Sequence, residues 1–245
     1  HPYIKIIVKY FFYSLFIFNT YVLFAQNIGS NGIKSDSRIN DLFELIKNRV
    51  SKNTYSNTKI KGSKYFDEKF KPADVKYFGK DLNQNIFLRY NAYSDELEFA
   101  NNPKTKSSDK ILMKNINILC QIEGDKYIYT DYIDENDYRK KGYLIELFSG
   151  KKYVLYEKKL KIFMEGSNAK TSLERSFPPR FVEKHKYFIS KNNTTKMEVK
   201  LNKKNIIDFL DLEEELIKKI IKERKLKFKQ SSDLKALLIE VDKIQ

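Results

Sequence analysis

From about residue 64 to residue 201 the chain alternates short runs of β-forming residues with turn-forming clusters, and this alternation limits the fold more than any other feature. The runs fall at 75–78, 86–91, 96–99, 115–123, 126–132, 143–148, 152–157, 187–190 and 196–201. Between them stand Tyr93-Ser94-Asp95, Glu123-Gly124-Asp125, residues 134–137, Ser149-Gly150-Lys151 and residues 191–194, which put Gly, Asn, Asp or Ser where the chain must reverse. Strands joined by such short turns run antiparallel. The runs YLIELF and KYVLY are apolar on both faces, which predicts a sheet covered on each side. Residues 165–180, with Ser176-Phe177-Pro178-Pro179-Arg180, break the alternation and are expected to cross a surface in extended form.

After residue 201 the hydrophobic period changes to that of helices. Residues 203–210 carry Ile206, Ile207 and Leu210. Asp211 and Glu214 are spaced as a capping box for a second helix, whose buried face is Leu212, Leu216, Ile217, Ile220 and Ile221. Acids cluster at its start and Lys218, Lys219, Lys222 and Arg224 toward its end, as the helix dipole favours. Ser231 or Ser232 can cap a last helix with Leu234, Leu237, Leu238 and Val241 on one face. The expected fold is α+β, an antiparallel β-sheet or partly closed barrel of about eight strands followed by C-terminal helices.

The N-terminus has the layout of a signal peptide. Lys5 and Lys9 precede the apolar, aromatic run YFFYSLFIFNTYVLF at residues 10–24, which is shorter than the roughly 20 residues a spanning helix needs. Cleavage is predicted after Ala25, and retention as an N-terminal anchor is the alternative. In the polar stretch that follows, Ile39, Leu42, Phe43, Ile46 and Val50 lie on one helical face, so a short helix is expected there, followed by a linker at 51–63. The expected organisation is a signal peptide at 1–25, a short helix and polar linker at 26–63, an antiparallel β domain at 64–201, and a helical segment at 202–245 packing on it.

The formal net charge of +15 comes almost wholly from lysine, since only seven of the 47 basic residues are arginine. Readers of nucleic acid favour the planar arginine fork, so nucleic acid is a disfavoured partner. Lysine scattered along the chain with abundant Asn and Ile reads first as the codon bias of an AT-rich genome, the alternative being a charge selected for a polyanion, and an envelope protein or a polyanionic envelope polymer is the partner class considered. One cysteine and two histidines exclude an intramolecular disulfide and a standard zinc site. No Walker loop, dinucleotide fingerprint, H-E-x-x-H or G-x-S-x-G is present, and no cofactor is expected.

The segment YFDEKFKPADVKYFGKDLNQNIFLRYNAYSDELEF at residues 65–99, and LRYNAYSDELEF within it most of all, resembles a group of uncharacterised exported proteins of Bacteroidota. PPRF at 178–181, KYFISKNN, IIDFL and LKFKQSSDLKALL follow in the order found in that group, so the resemblance spans residues 65–245. It implies an exported protein of the periplasm, outer membrane or cell exterior with a β-rich body, and carries no catalytic motif.

Individual residues add little chemistry. Cys120 shares strand parity with Ile116, Ile118 and Ile122 and is expected to be buried and inert. His185 stands between two lysines without a nucleophile motif. Asp131, Asp134, Glu135 and Asp137 fail the EF-hand spacing at Tyr138 and Arg139, which predicts a solvated hairpin tip. The most distinctive local pattern is Arg89, Tyr90, Asn91 and Asp95, for which the structural reading is core, turn and an Arg89 pairing with Glu96 or Glu98 across strands. The binding reading takes Arg89, Tyr90, Asn91 and Asp95 together with Tyr129 and Tyr132, because tyrosine offers large amphipathic contact area. No catalytic or metal-ligating residue is assigned. The expected function is an exported, non-enzymatic binding or structural module of the envelope, the alternative being a small carboxylate-dependent hydrolase of an envelope or extracellular polymer.

Overall fold

The computed structural model describes residues 46–48, 60–82, 85–169, 171, 173 and 175–244. The chain divides into two units, His1–Leu45 and Ile46–Gln245, and every described residue belongs to the second. The expected signal peptide, and Ile39, Leu42, Phe43 and Val50 of the expected first helix, lie outside the described residues.

The described residues form one sheet of twelve strands and three helices. The strands are β1 (Ile46–Asn48), β2 (Lys71–Tyr77), β3 (Lys80–Asp81), β4 (Ile86–Asn91), β5 (Glu96–Ala100), β6 (Lys110–Leu112), β7 (Ile118–Ile122), β8 (Asp125–Ile133), β9 (Arg139–Ser149), β10 (Tyr153–Met164), β11 (Arg180–Lys191) and β12 (Lys196–Val199). The helices are α1 (Lys203–Leu210), α2 (Glu214–Glu223) and α3 (Ser231–Ile244). The fold is therefore α+β, with antiparallel pairing throughout except between β8 and β12. Turn chemistry explains the reversals. Glu123 and Gly124 take φ of 49° and 94° between β7 and β8, and Asn192 and Asn193 take 52° and 58° after β11, the left-handed pairs that tight hairpins need.

Three expectations are corrected. Ile46 lies not on a helix but on β1, where it pairs with Leu112 of β6; the edge of β6 offers backbone partners that outweigh local helical period. Residues 165–180 do not simply cross a surface: Ser167 and Phe177 exchange backbone hydrogen bonds of 2.9 and 2.8 Å, so the β10–β11 hairpin continues beyond Met164. Asp211 ends α1 in the left-handed conformation at φ 48° rather than capping α2, which begins after Glu213 without a side-chain cap. The end of the expected linker is also held, since Lys61 donates to the Pro179 carbonyl at 2.8 Å and accepts from Phe181 at 2.9 Å.

The sheet does not close into a clear barrel, yet β8, β9, β10, β11 and β12 are paired in a circuit. One edge of β8 serves two partners, β7 along Asp125–Ile128 and β12 at Tyr132 and Ile133. Inside the circuit pack Tyr132, Leu144, Val154, Tyr156 and Phe188. The opposite parity of β10 and β11 presents Tyr153, Leu155 and Ile189 to Ile206, Ile217, Leu234, Leu238 and Val241 of the helices. This is why the KYVLY run is apolar at four successive positions, Tyr153 to Tyr156: each face of the strand has its own core. Asp242 on α3 fastens the two layers by accepting from the backbone N–H of Lys151, Lys152 and Tyr153 at 2.7, 2.8 and 3.2 Å.

β9 and β10 pair only from Ile145 to Ser149 and from Val154 to Glu157, with a register shift between Leu155 and Tyr156. Beyond it β9 stays with β8 while β10 follows β11, and the sheet opens between them. The turn linking β4 to β5 enters this opening: the Ala92 carbonyl accepts from Lys161 N–H at 3.1 Å, and the Asp95 carboxylate accepts from Tyr143 N–H at 3.3 Å.

Candidate functional site

The residues singled out in the sequence separate into two buried clusters on the β4–β5 hairpin. The first is built on register: Arg89 stands directly across from Glu98. Its Nη2 and Nε reach Glu98 Oε2 at 2.5 and 3.1 Å, and Nη1 donates to the carbonyls of Glu68 and Lys106 at 2.6 and 3.2 Å. Tyr65 adds its hydroxyl, 2.9 Å from Arg89 Nη2 and from both Glu98 oxygens. The rings of Tyr65 and Phe70 lie 3.9 and 4.2 Å from the guanidinium carbon, close enough for cation–π attraction. Asn91 donates to Glu98 at 3.0 Å and accepts from the N–H groups of Tyr93 and Ser94, which fixes the turn. Glu98 is fully buried, and Arg89 and Asn91 are nearly so.

The second cluster gathers four of the expected residues, Tyr90, Asp95, Tyr129 and Tyr132, around one the sequence reading missed. Lys158, on β10 where the sheet opens, places its amine 2.9 Å from Asp95 and 3.2 Å from the Tyr143 carbonyl. It lies over the Tyr132 ring at 5.5 Å. The Tyr90 hydroxyl donates to Asp95 at 2.7 Å, and Tyr143 packs edge-on against Tyr129 and Tyr90. Room for the pair comes from Gly142, because a Cβ there would collide with Asp95 Oδ2 and lie 2.6 Å from Lys158 Nζ. Burial lowers the pKa of Lys158, against the pull of Asp95. Burial and the Asp95 charge push the Tyr90 and Tyr129 hydroxyls up, and Tyr132 up to about 12. Tyr143 rises as well, and its buried hydroxyl has no hydrogen-bond partner among the described residues.

Between these clusters and the β7–β8 turn opens a cleft of about 280 Å³. Buried Leu88, Tyr90 and Tyr127 line it together with Phe66, and Asp67, Lys71, Glu123, Asp125 and Lys159 bring charge. Lys71 bonds both Asp67 at 3.0 Å and Glu123 at 2.6 Å, which raises its pKa, while Lys159 is 3.4 Å from Asp125. Asp67 is held below the ordinary carboxylate value, chiefly by the N–H of Lys69 and helped by Lys71, against the opposing effect of burial. The volume lies just under that of drug-sized sites and suits a small polar ligand or one residue of a larger one.

The other candidates have structural partners. Cys120 is fully buried and burial pushes its thiol up to about 12. His185 Nδ1 is 2.7 Å from Glu157 and its ring meets Phe66 edge-on. Asp134 closes the β8–β9 turn by accepting from the N–H groups of Asn136 and Tyr138 and pairing with Lys140. Among the described residues no group of three or more His, Cys, Asp or Glu is placed to hold a metal ion, and no helix is long and apolar enough to cross a membrane. No family model, curated protein or solved structure matches the chain.

Proposed function

We propose that this chain is an exported, non-enzymatic binding or structural module of the cell envelope, as its resemblance to exported Bacteroidota proteins implies, and that the cleft beside the β4–β5 hairpin holds its ligand. The observation that carries this reading is the pairing of charges that line the cleft: Arg89 with Glu98, Lys71 with Asp67 and Glu123, and Lys159 with Asp125. Such pairs give a preorganised surface that recognises without reacting. Phe66 and Tyr127 supply apolar area beside them.

The hydrolase reading draws on the carboxylates of the same cleft, Asp67, Glu123 and Asp125. It needs one carboxyl that keeps a proton while a second stays charged. Asp67, held below the ordinary carboxylate value, fits only the charged member of such a pair, and Lys71 binds both it and Glu123. Non-enzymatic binding is therefore the better supported of the two.

The test is titration calorimetry of the full chain with purified muropeptides and with lipopolysaccharide, followed by mass spectrometry of each mixture. Saturable binding without product, weakened about tenfold by Lys71→Ala or Lys159→Ala, is expected. Product formation that disappears in Asp67→Asn transfers the cleft to the hydrolase reading. The export half has its own check, a mature N-terminus at Gln26 in the envelope fraction; an intact chain in the cytoplasm removes it.

A further inference from the structure

The β10–β11 hairpin outruns its neighbours. β9 leaves β10 after Glu157, and β12 pairs with β11 only from Tyr187 to Ile189, so residues 158–164 and 180–186 form an arm of two strands whose edges meet, among the described residues, only single backbone partners, Ala92 at Lys161 and Lys61 at Pro179 and Phe181. The two faces of the arm differ. One is covered: Lys161 pairs with Glu183 at 2.6 Å and lies over Phe66, and Phe181 meets the rings of Phe163 and Tyr93. On the other face Ile162 stands across from Val182, Met164 across from Arg180, and Leu160 across from Lys184. Ile162 and Met164 are each 44% exposed and Val182 is 36% exposed, while Leu173, in the segment beyond the Ser167–Phe177 pair, is 94% exposed.

At its six outer positions, 160, 162, 164, 180, 182 and 184, that face carries Arg180 and Lys184 and no carboxylate, while Lys158 and Lys186 nearer the sheet are already paired with Asp95 and Glu198. Glu183 points to the covered face, and Glu135, whose charge Lys184 feels, is already bonded to Lys200 at 2.9 Å. We propose that this face of the arm docks on an anionic lipid surface, a contact separate from the cleft. Aliphatic side chains flanked by cations enter the headgroup boundary while the cations meet lipid phosphates. The net charge of +15 adds long-range attraction to such a surface. A lipid surface fits better than an acidic protein because exposed Ile162, Met164 and Val182 stand on the same face as Arg180 and Lys184: a bilayer boundary takes up the aliphatic side chains where its phosphates meet the cations, and an acidic protein patch answers the cations alone.

The chain contains no tryptophan, so a single introduced one reports on its own site. Full-length chain carrying Ile162→Trp is mixed with phosphatidylglycerol vesicles and with phosphatidylcholine vesicles. The expected result is a blue-shifted emission with the anionic vesicles alone, quenched by brominated acyl chains and reversed by salt. Ile244→Trp, on α3, should show no shift. The triple variant Ile162→Ser, Met164→Ser, Val182→Ser should lower vesicle partitioning by about tenfold or more while melting like the parent, since all three side chains are exposed. Vesicle binding that leaves the emission of the Ile162→Trp variant unshifted overturns the proposal and assigns the contact to another segment, such as the apolar run at 10–24. A shift with soluble polyglutamate but not with vesicles overturns it in favour of an acidic protein partner.

Discussion

Arg89 with Glu98 and Lys158 with Asp95 are both buried ion pairs on the β4–β5 hairpin, but they answer the cost of burial differently. The planar fork of Arg89 is matched by a carboxylate, two carbonyls, a hydroxyl and two aromatic rings. Lys158 has one carboxylate, one carbonyl and a ring, and burial lowers its pKa. Asp95 remains partly exposed where Glu98 is sealed. The comparison teaches that the first pair locks the hairpin, while the second tolerates change at the mouth of an opening in the sheet.

The largest expected effect is from Glu98→Ala, which strands a buried guanidinium. It should cost about 3–5 kcal/mol, read as a fall in the urea midpoint at unchanged slope. A loss below about 1 kcal/mol would erase the contrast between the two pairs. Gly142→Ala comes next. Its Cβ would intrude on both Asp95 and Lys158, so a cost of about 1–3 kcal/mol is expected, whereas Gly150→Ala displaces the Asp242 clamp instead and leaves the Lys158 pair intact. Lys158→Met should be the mildest, at about 1 kcal/mol or less, because the apolar stem is kept and Asp95 still accepts from Tyr90 and Tyr143.

Lys158→Met also carries a pH signature. A lysine whose folded pKa is lowered binds fewer protons folded than unfolded between that value and its ordinary 10.5, so its contribution to stability rises with pH across this window. The raised tyrosines act in the other direction above pH 10, where the unfolded chain loses their protons first. Subtracting the stability curve of Lys158→Met from that of the parent removes the tyrosines. The difference should grow in the parent's favour as pH rises through the window. A flat difference would mean that the pair is fully compensated, like Arg89.

Much of the fold was legible because alternation and turns are local. The boundaries of β4, the shared buried face of Ile118, Cys120 and Ile122, and the buried Ile217, Ile220 and Ile221 of α2 and Leu234, Leu237, Leu238 and Val241 of α3 follow from residue spacing, whereas Ile116, expected on the Cys120 face, is 66% exposed in the turn before β7, and Leu212 precedes α2. The outer halves of β10 and β11 were not, since KKLKIFM and RFVEKHK read as charged runs until a partner strand is supplied. The site was half legible. Tyr90, Asp95, Tyr129 and Tyr132 meet, but Lys158 sits in a lysine-rich run where nothing distinguishes a buried amine from an exposed one. Gly142 was the available clue, a lone glycine inside a strand marking a close approach of another group.

The circuit of strands has a consequence for time. β12 must return to Tyr132 and Ile133 of β8 after the whole β9–β11 excursion has been made, and the helical layer over Tyr153, Leu155 and Ile189 is synthesised only after the strands it covers. Until residues 203–244 arrive, the outer face of β10 and β11 is a bare apolar surface, prone to self-association. Folding should therefore be held back until residues 203–244 have been made, and a chain cut before Lys203 should aggregate rather than fold to a smaller domain.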